Sequence, residues 1–368
     1  ALVMLIELVD ISDGLLGSLA ACLYAQEIVN TGACCRKARM VFARPERGLC
    51  CPHLFPATHQ AMCAALLRCD ARQLQTLRPL GEIEFDSSTY LSELLHRLPL
   101  LTSLEELGPL CIDTSGGPVL LMQKAGVGPE AMEGSVAVRP RKVLPVLAAS
   151  FPKLHRLASL SLTLRCLNAA DAKIVSEVFM PALGSCQALR HLRLDLDTPL
   201  SCGAAMTRGL VAMLQKLSSW QKLESLSLGY LWWTEAAEET LDQFKEALQA
   251  FKGSVRAVAI RCPQDQELGA LDAVAASLLL GVASNVEEVL AMQAWGDDGT
   301  GLSKFLEVLS SCRRLRRVDF IGELPNGLDR ASLESSLRAA RPAAEMTAKV
   351  CVNTPAGWRR ASCYPSSY

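Results

Sequence analysis

Aromatic side chains are scarce in this chain, at 5% of 368 residues, although half of the residues are hydrophobic. A core built from it must therefore be aliphatic. Charge excess is missing too: 37 basic residues face 38 acidic ones, for a formal net charge of −1. Nucleic acid and anionic membranes call for a concentrated basic field, so neither is expected as a partner. Long hydrophobic runs are also absent. No segment reaches the roughly 18 apolar residues of a membrane span. ALVMLIELV at residues 1–9 stops at Asp10 with no basic segment before it, unlike a secretory signal. The chain opens on Ala rather than Met, as a fragment of a longer protein would.

Cysteine is plentiful, with 15 residues, yet no Cys-x-x-Cys occurs. Cys34, Cys35, Cys50, Cys51 and His53 lie close in sequence, but structural zinc prefers ligands two to four residues apart so that a turn can wrap the ion. Neighbouring cysteines point apart, and no metal or other cofactor is expected. Cys111, Cys166, Cys186, Cys262 and Cys312 are scattered singly through apolar segments. That is how small buried hydrophobes are used in a reducing compartment, so a cytoplasmic or nuclear location is expected. The five His are dispersed, without Gly-x-Ser-x-Gly or His-Glu-x-x-His. GDDGTGLSK (296–304) puts Leu302 where a phosphate loop needs Lys. The chain reads as a non-enzyme.

What is present is repetition. The pattern apolar-x-x-apolar-x-apolar occurs as LGEIEF (80–85), LGPLCI (107–112), LASLSL (157–162) and LRHLRL (189–194), then as LESLSL (223–228), VRAVAI (255–260), VEEVLA (286–291) and LRRVDF (315–320). ALGSCQALRHL, KLSSWQKLESL and VLSSCRRLRRV share one lead-in: an apolar helical run, a Ser turn, and a Cys or Trp before the strand. TLDQFKEALQAF (240–251) and LSKFLEVLSS (302–311) carry apolar residues at helical spacing. One short strand plus one helix per roughly 30 residues is the mark of a leucine-rich-repeat solenoid, whose single units cannot bury their own apolar face. The expected fold is α/β: a horseshoe of about eight β–α units preceded by a small all-helical segment. In LHRLASL either Leu154 or Leu157 can begin the third unit. A Gly-, Pro- and Met-rich insertion lies near 116–143.

Residues 77–342 resemble the ribonuclease-inhibitor-like class of leucine-rich repeats, which implies a concave sheet face that binds protein. Alternate strand residues would line that face: Glu82, Glu84, Asp86; Pro109, Cys111, Asp113; Ser159, Ser161, Thr163; His191, Arg193, Asp195; Ser225, Ser227, Gly229; and so on to Arg317, Asp319, Ile321. His191, Arg193 and Asp195 are the central candidates for target binding. Tyr230, Trp232 and Trp233 follow the fifth strand and Trp295 follows the seventh, so these aromatics are expected at one edge as interface anchors.

The first 56 residues lie outside the repeat. Ile11, Leu15, Leu16, Leu19, Leu23, Ile28, Val29, Cys34, Cys35 and Arg36 are spaced in a way that resembles an F-box. Ser12 stands where that family has Pro, and Ala38 where it has a closing aromatic. The resemblance implies that residues 11–36 dock a Skp-type adaptor, with the solenoid as substrate receptor of a cullin–RING ubiquitin ligase. The alternative is a leucine-rich-repeat scaffold or regulatory domain whose N-terminal helices only cap the solenoid. The expected division is 1–56 for the F-box-like segment and linker, 57–342 for the solenoid and 343–368 for a polar tail.

Overall fold

The computed structural model describes residues 43–44, 48–49, 52–56, 62, 65–66, 69–79, 83–86, 94–113, 140–165, 168–196, 202–219, 222–229, 238–261, 285–292, 300–322, 330–340 and 345–350. Ile11 to Arg36, most of the insertion, and Tyr230, Trp232, Trp233 and Trp295 lie outside the described residues.

Parallel strands form the frame. They are β3 (His53–Leu54), β4 (Thr76–Leu77), β5 (Ile83–Asp86), β6 (Glu106–Asp113), β7 (Ser159–Arg165) and β8 (His191–Leu196), followed by β9 (Ser225–Gly229), β10 (Ala257–Arg261), β11 (Glu288–Met292), β12 (Arg317–Gly322) and β13 (Glu345–Val350). They make one 11-stranded sheet in which each strand from β6 onward pairs with the next in sequence. Every pairing in that sheet is parallel. Upstream, β1 (Ala43–Arg44) and β2 (Gly48–Leu49) form a separate antiparallel pair. Sequential parallel pairing across so many strands is the geometry of a solenoid, in which each unit contacts its neighbours in sequence.

The helices are α1 (Pro140–Ser150), α2 (Ala169–Ile174), α3 (Met180–Leu183), α4 (Gly203–Ser218), α5 (Glu238–Gln249), α6 (Thr300–Ser311) and α7 (Arg330–Ala340). A π turn, Val175–Phe179, joins α2 to α3. Asn168 caps α2, its side-chain oxygen accepting from the backbone N–H groups of Ala170 and Asp171. The apolar stripes read from sequence are the buried ones: Phe244, Leu248 and Phe251 around α5, and Phe305, Leu309 and Cys312 around α6, are all fully buried. α4 crosses the π turn so closely that a β-carbon on Gly209 would press on Met180 Sδ and the Ser176 backbone.

Leucine fills the space between sheet and helices at fixed positions. Leu160, Leu162 and Leu164 on β7, Leu192, Leu194 and Leu196 on β8, and Leu226 and Leu228 on β9 are each at most 3% exposed. Burying one such side chain is worth about 1.5–3 kcal/mol, so adjacent units hold one another in register. The shared lead-in is a pair of chained turns. Cys186 N–H donates to Leu183 O and Leu189 N–H to Cys186 O, and Cys312 and Leu315 repeat this with Leu309. The hydroxyl-rich turn before the strand closes on itself: Ser310 Oγ and Ser311 Oγ donate back to Glu307 O and Val308 O.

One hydrogen-bond device recurs between the units from β3 to β12, β5 aside. A single carbonyl in each unit accepts two successive N–H groups from the next. The acceptors run Pro52, Gln75, Glu105, Ala158, Arg190, Glu224, Arg256 and Glu287, the last receiving Arg316 and Arg317.

That ladder corrects the frame of the first two units. Leu107 pairs with Leu160, and Leu110 with Leu162. The sequence frame set Leu107 beside Leu157 instead. Gly108 and Pro109 insert one extra residue between these leucines, and the register shifts there. The parallel sheet includes strands on both sides of the 57–342 segment. β3 pairs with β4 ahead of residue 57, and β13 pairs with β12 where a polar tail was expected. Pro140–Val143, assigned to the insertion, begin α1.

Candidate recognition face

In each central strand the leucines are buried and the alternate residues lie on the other face, open at Ser159, Ser161, His191, Arg193 and Ser225 but buried at Cys111, Thr163, Asp195 and Ser227. Registers place these in rows. The first row runs Glu106, Ser159, His191, Ser225, Ala257, Glu288, Arg317. The second runs Ser161, Arg193, Ser227, Ala259, Leu290, Asp319. The third runs Glu84, Cys111, Thr163, Asp195, Gly229, Arg261, Met292, Ile321. Cys111 thus stands beside Thr163 and Asp113 beside Arg165. The sequence frame put both two residues away.

His191 is exposed at the start of β8, and Ser159 and Ser225 on either side are half-buried. Arg193, two residues on, is 22% exposed and donates from Nε to Asp195 Oδ2 at 3.2 Å, while Asp195 itself is 1% exposed. Thr163 Oγ1 also donates to Asp195 Oδ2, at 3.4 Å. Of the three residues expected to meet a target, His191 and Arg193 reach solvent, and Asp195 lies beneath, paired with the guanidinium. A carboxylate this deep is tolerated only because charge-assisted partners replace water. The same spacing recurs on β12, where Arg317 Nη2 lies 2.7 Å from Asp319 Oδ2. Arg-x-Asp within a strand places both side chains on one face, so this pairing was available in LRLDL and RRVDF.

At the sheet edge where strands begin, Arg190 pairs with Glu224 at 3.2 Å and Arg316 with Glu287 at 3.6 Å. These exposed pairs contribute about 0–1 kcal/mol each. Sequence reading did not find them, because they depend on cross-strand register.

Cys69, Cys111, Cys186, Cys202 and Cys312 are buried thiols. Burial pushes the Cys186 thiol up to about 12, against a smaller opposing pull from Lys216. His53, weighed above as a metal ligand, lies in β3 with Nδ1 3.1 Å from Thr76 Oγ1. Among the described residues, no group of three or more His, Cys, Asp or Glu is placed to hold a metal ion. Among the same residues, no helix is long and apolar enough to cross a membrane.

No protein-family model matches the chain. No curated protein matches it either. Among solved structures it is similar to one described as the crystal structure of a Rad7 and Elc1 complex in yeast. The identity is 13%, the alignment covers 92% of this chain and 83% of that one, and the TM-score is 0.34. At that distance the likeness carries no functional argument.

Proposed function

We propose that the chain is a protein-recognition adaptor whose open sheet face is the concave wall of a leucine-rich-repeat horseshoe. The observation that supports this is the run of uncovered strand positions from Glu106 to Arg317, mixing acids, hydroxyls, His191 and Arg193 over a continuous leucine core. Such a face has the varied polarity of a protein-binding surface. In this reading residues 11–36 act as an F-box and carry the chain to a Skp-type adaptor, as their resemblance implies, and the open face selects a substrate for ubiquitin transfer. The chain does no chemistry of its own.

The ligase link is tested by pull-down with a Skp-type adaptor. Wild type captures it, and a Leu19→Asp, Leu23→Asp variant does not. If wild type captures nothing while a control F-box does, the ligase link is lost and the solenoid stands as a binding scaffold.

A further inference from the structure

The central strands are entered through tight turns, and sequential parallel pairing sets those turns side by side along one edge of the sheet. From β7 to β12 they take up residues 151–158, 185–190, 219–224, 251–256, 284–287 and 311–316, with nine lysines and arginines against two glutamates. In a chain whose charges otherwise balance, that is a local excess of cation.

The hydrogen-bond ladder fixes the rows along this edge. Its acceptors run Ala158, Arg190, Glu224, Arg256 and Glu287, and Arg316 takes the matching place before β12. Both glutamates lie in this row and both are engaged, Glu224 by Arg190 at 3.2 Å and Glu287 by Arg316 at 3.6 Å. Two residues further out, the row runs Arg156, Ala188, Lys222, Ser254, Asn285 and Arg314, with no acid in it. Lys153, Arg156, Lys222, Arg256, Arg313 and Arg314 are exposed and make no ion pair among the described residues. Other acids flank the edge: Glu105 and Glu106 at its β6 end, Glu288 at the start of β11, and Glu246 and Glu307 near the ends of α5 and α6. Lys216 near the end of α4 and Arg317 at the start of β12 stand among them, so the edge remains cationic.

We propose that this edge docks an acidic, extended segment of another protein. From β7 to β12 is five strand spacings, about 24 Å, which an extended chain covers in roughly seven or eight residues. Carboxylates on such a segment can fall opposite Arg156, Lys222, Arg256 and the Arg313–Arg314 pair while missing the two glutamates. Nucleic acid fits less well. Its phosphates recur about every 3.4 Å along a strand, so some must meet Glu224 and Glu287. The inference does not depend on what the open face or residues 11–36 bind.

The full chain is titrated by fluorescence anisotropy with a labelled peptide of about ten alternating Glu and Ser residues, with its Gln-for-Glu counterpart, and with a DNA duplex of about 20 base pairs. The Glu peptide binds at least about tenfold more tightly than the other two, and its affinity falls about tenfold as salt rises from about 50 to about 300 mM. Arg156→Glu with Lys222→Glu, and Arg313→Glu with Arg314→Glu, each weaken it at least about tenfold with circular dichroism unchanged. Lys173→Glu with Arg208→Glu, on exposed residues of α2 and α4 outside the turns, makes the same change in net charge and leaves binding within about twofold. Equal binding of the Glu and Gln peptides, binding of neither, tighter binding of the duplex, or an equal loss in the Lys173 and Arg208 variant overturns the proposal.

Discussion

A β-carbon on Gly108 would collide with the backbone carbonyl oxygen of Ser161 on the adjacent strand, and Gly108 holds φ at +101°. Both facts trace to the extra residue that β6 carries opposite β7. A residue with a side chain must leave the left-handed region or push the strands apart, and strained backbone of this kind costs about 1–3 kcal/mol. Gly108→Ala is expected to lower the unfolding free energy from urea titration by at least that amount, and Ser161→Ala to change it by under about 0.5 kcal/mol. A neutral Gly108→Ala would mean that the bulge relaxes freely.

The same bulge marks where the sequence stopped being legible. Leu101, Leu104, Leu107, Leu110 and Ile112 are spaced 3, 3, 3 and 2, so two frames fit equally well. Only the hydrogen bonds from Ala158 and Ser159 to Glu105 O choose between them. In the third unit Leu154 and Leu157 both fit as the start, and from the fourth onward the frame was readable, because apolar spacing of 3 then 2 admits one alignment with the next strand. β13 was hidden because Met346, Thr347 and Ala348 carry no leucine. At the face, alternation alone placed His191 and Arg193. The burial of Asp195 could not be read, since it depends on Thr163 from a unit 32 residues away.

Register also decides what a core truncation does. Leu192 is 1% exposed on β8, between Leu160 and Leu226 of the flanking strands. Leu192→Ala leaves a cavity in a stack that joins three units, with an expected loss of about 2–5 kcal/mol. Because solenoid units are coupled to their neighbours, hydrogen exchange should rise on β7 and β9 as well as on β8. Acceleration confined to β8 would show that the units open independently.

Arg193 and Asp195 can be separated by a double-mutant cycle. Arg193→Ala strips the buried carboxylate of its cation, and the expected destabilisation is roughly 2–4 kcal/mol, with Arg193 being partly exposed. Asp195→Ala removes the costly charge itself, so the double variant should be more stable than Arg193→Ala alone. Urea midpoints of the four proteins give the coupling energy. A coupling near zero would mean that Asp195 is sustained without Arg193.

Cys186 provides a pH test. Its thiol is raised from 9.0 to about 12, chiefly by burial. The folded state therefore holds this proton more tightly than the unfolded chain does. The resulting stability is fully present below pH 9 and is lost as pH rises through the folded value. Unfolding free energy should fall between pH 9 and 11, and less steeply for Cys186→Val, which cannot ionise. The raised value also keeps the thiolate scarce at neutral pH, so a thiol reagent should modify Cys186 only as fast as the solenoid opens. Rapid labelling of native protein at this position, followed by mass spectrometry, would show that the lead-in turn around Cys186 is open to solvent.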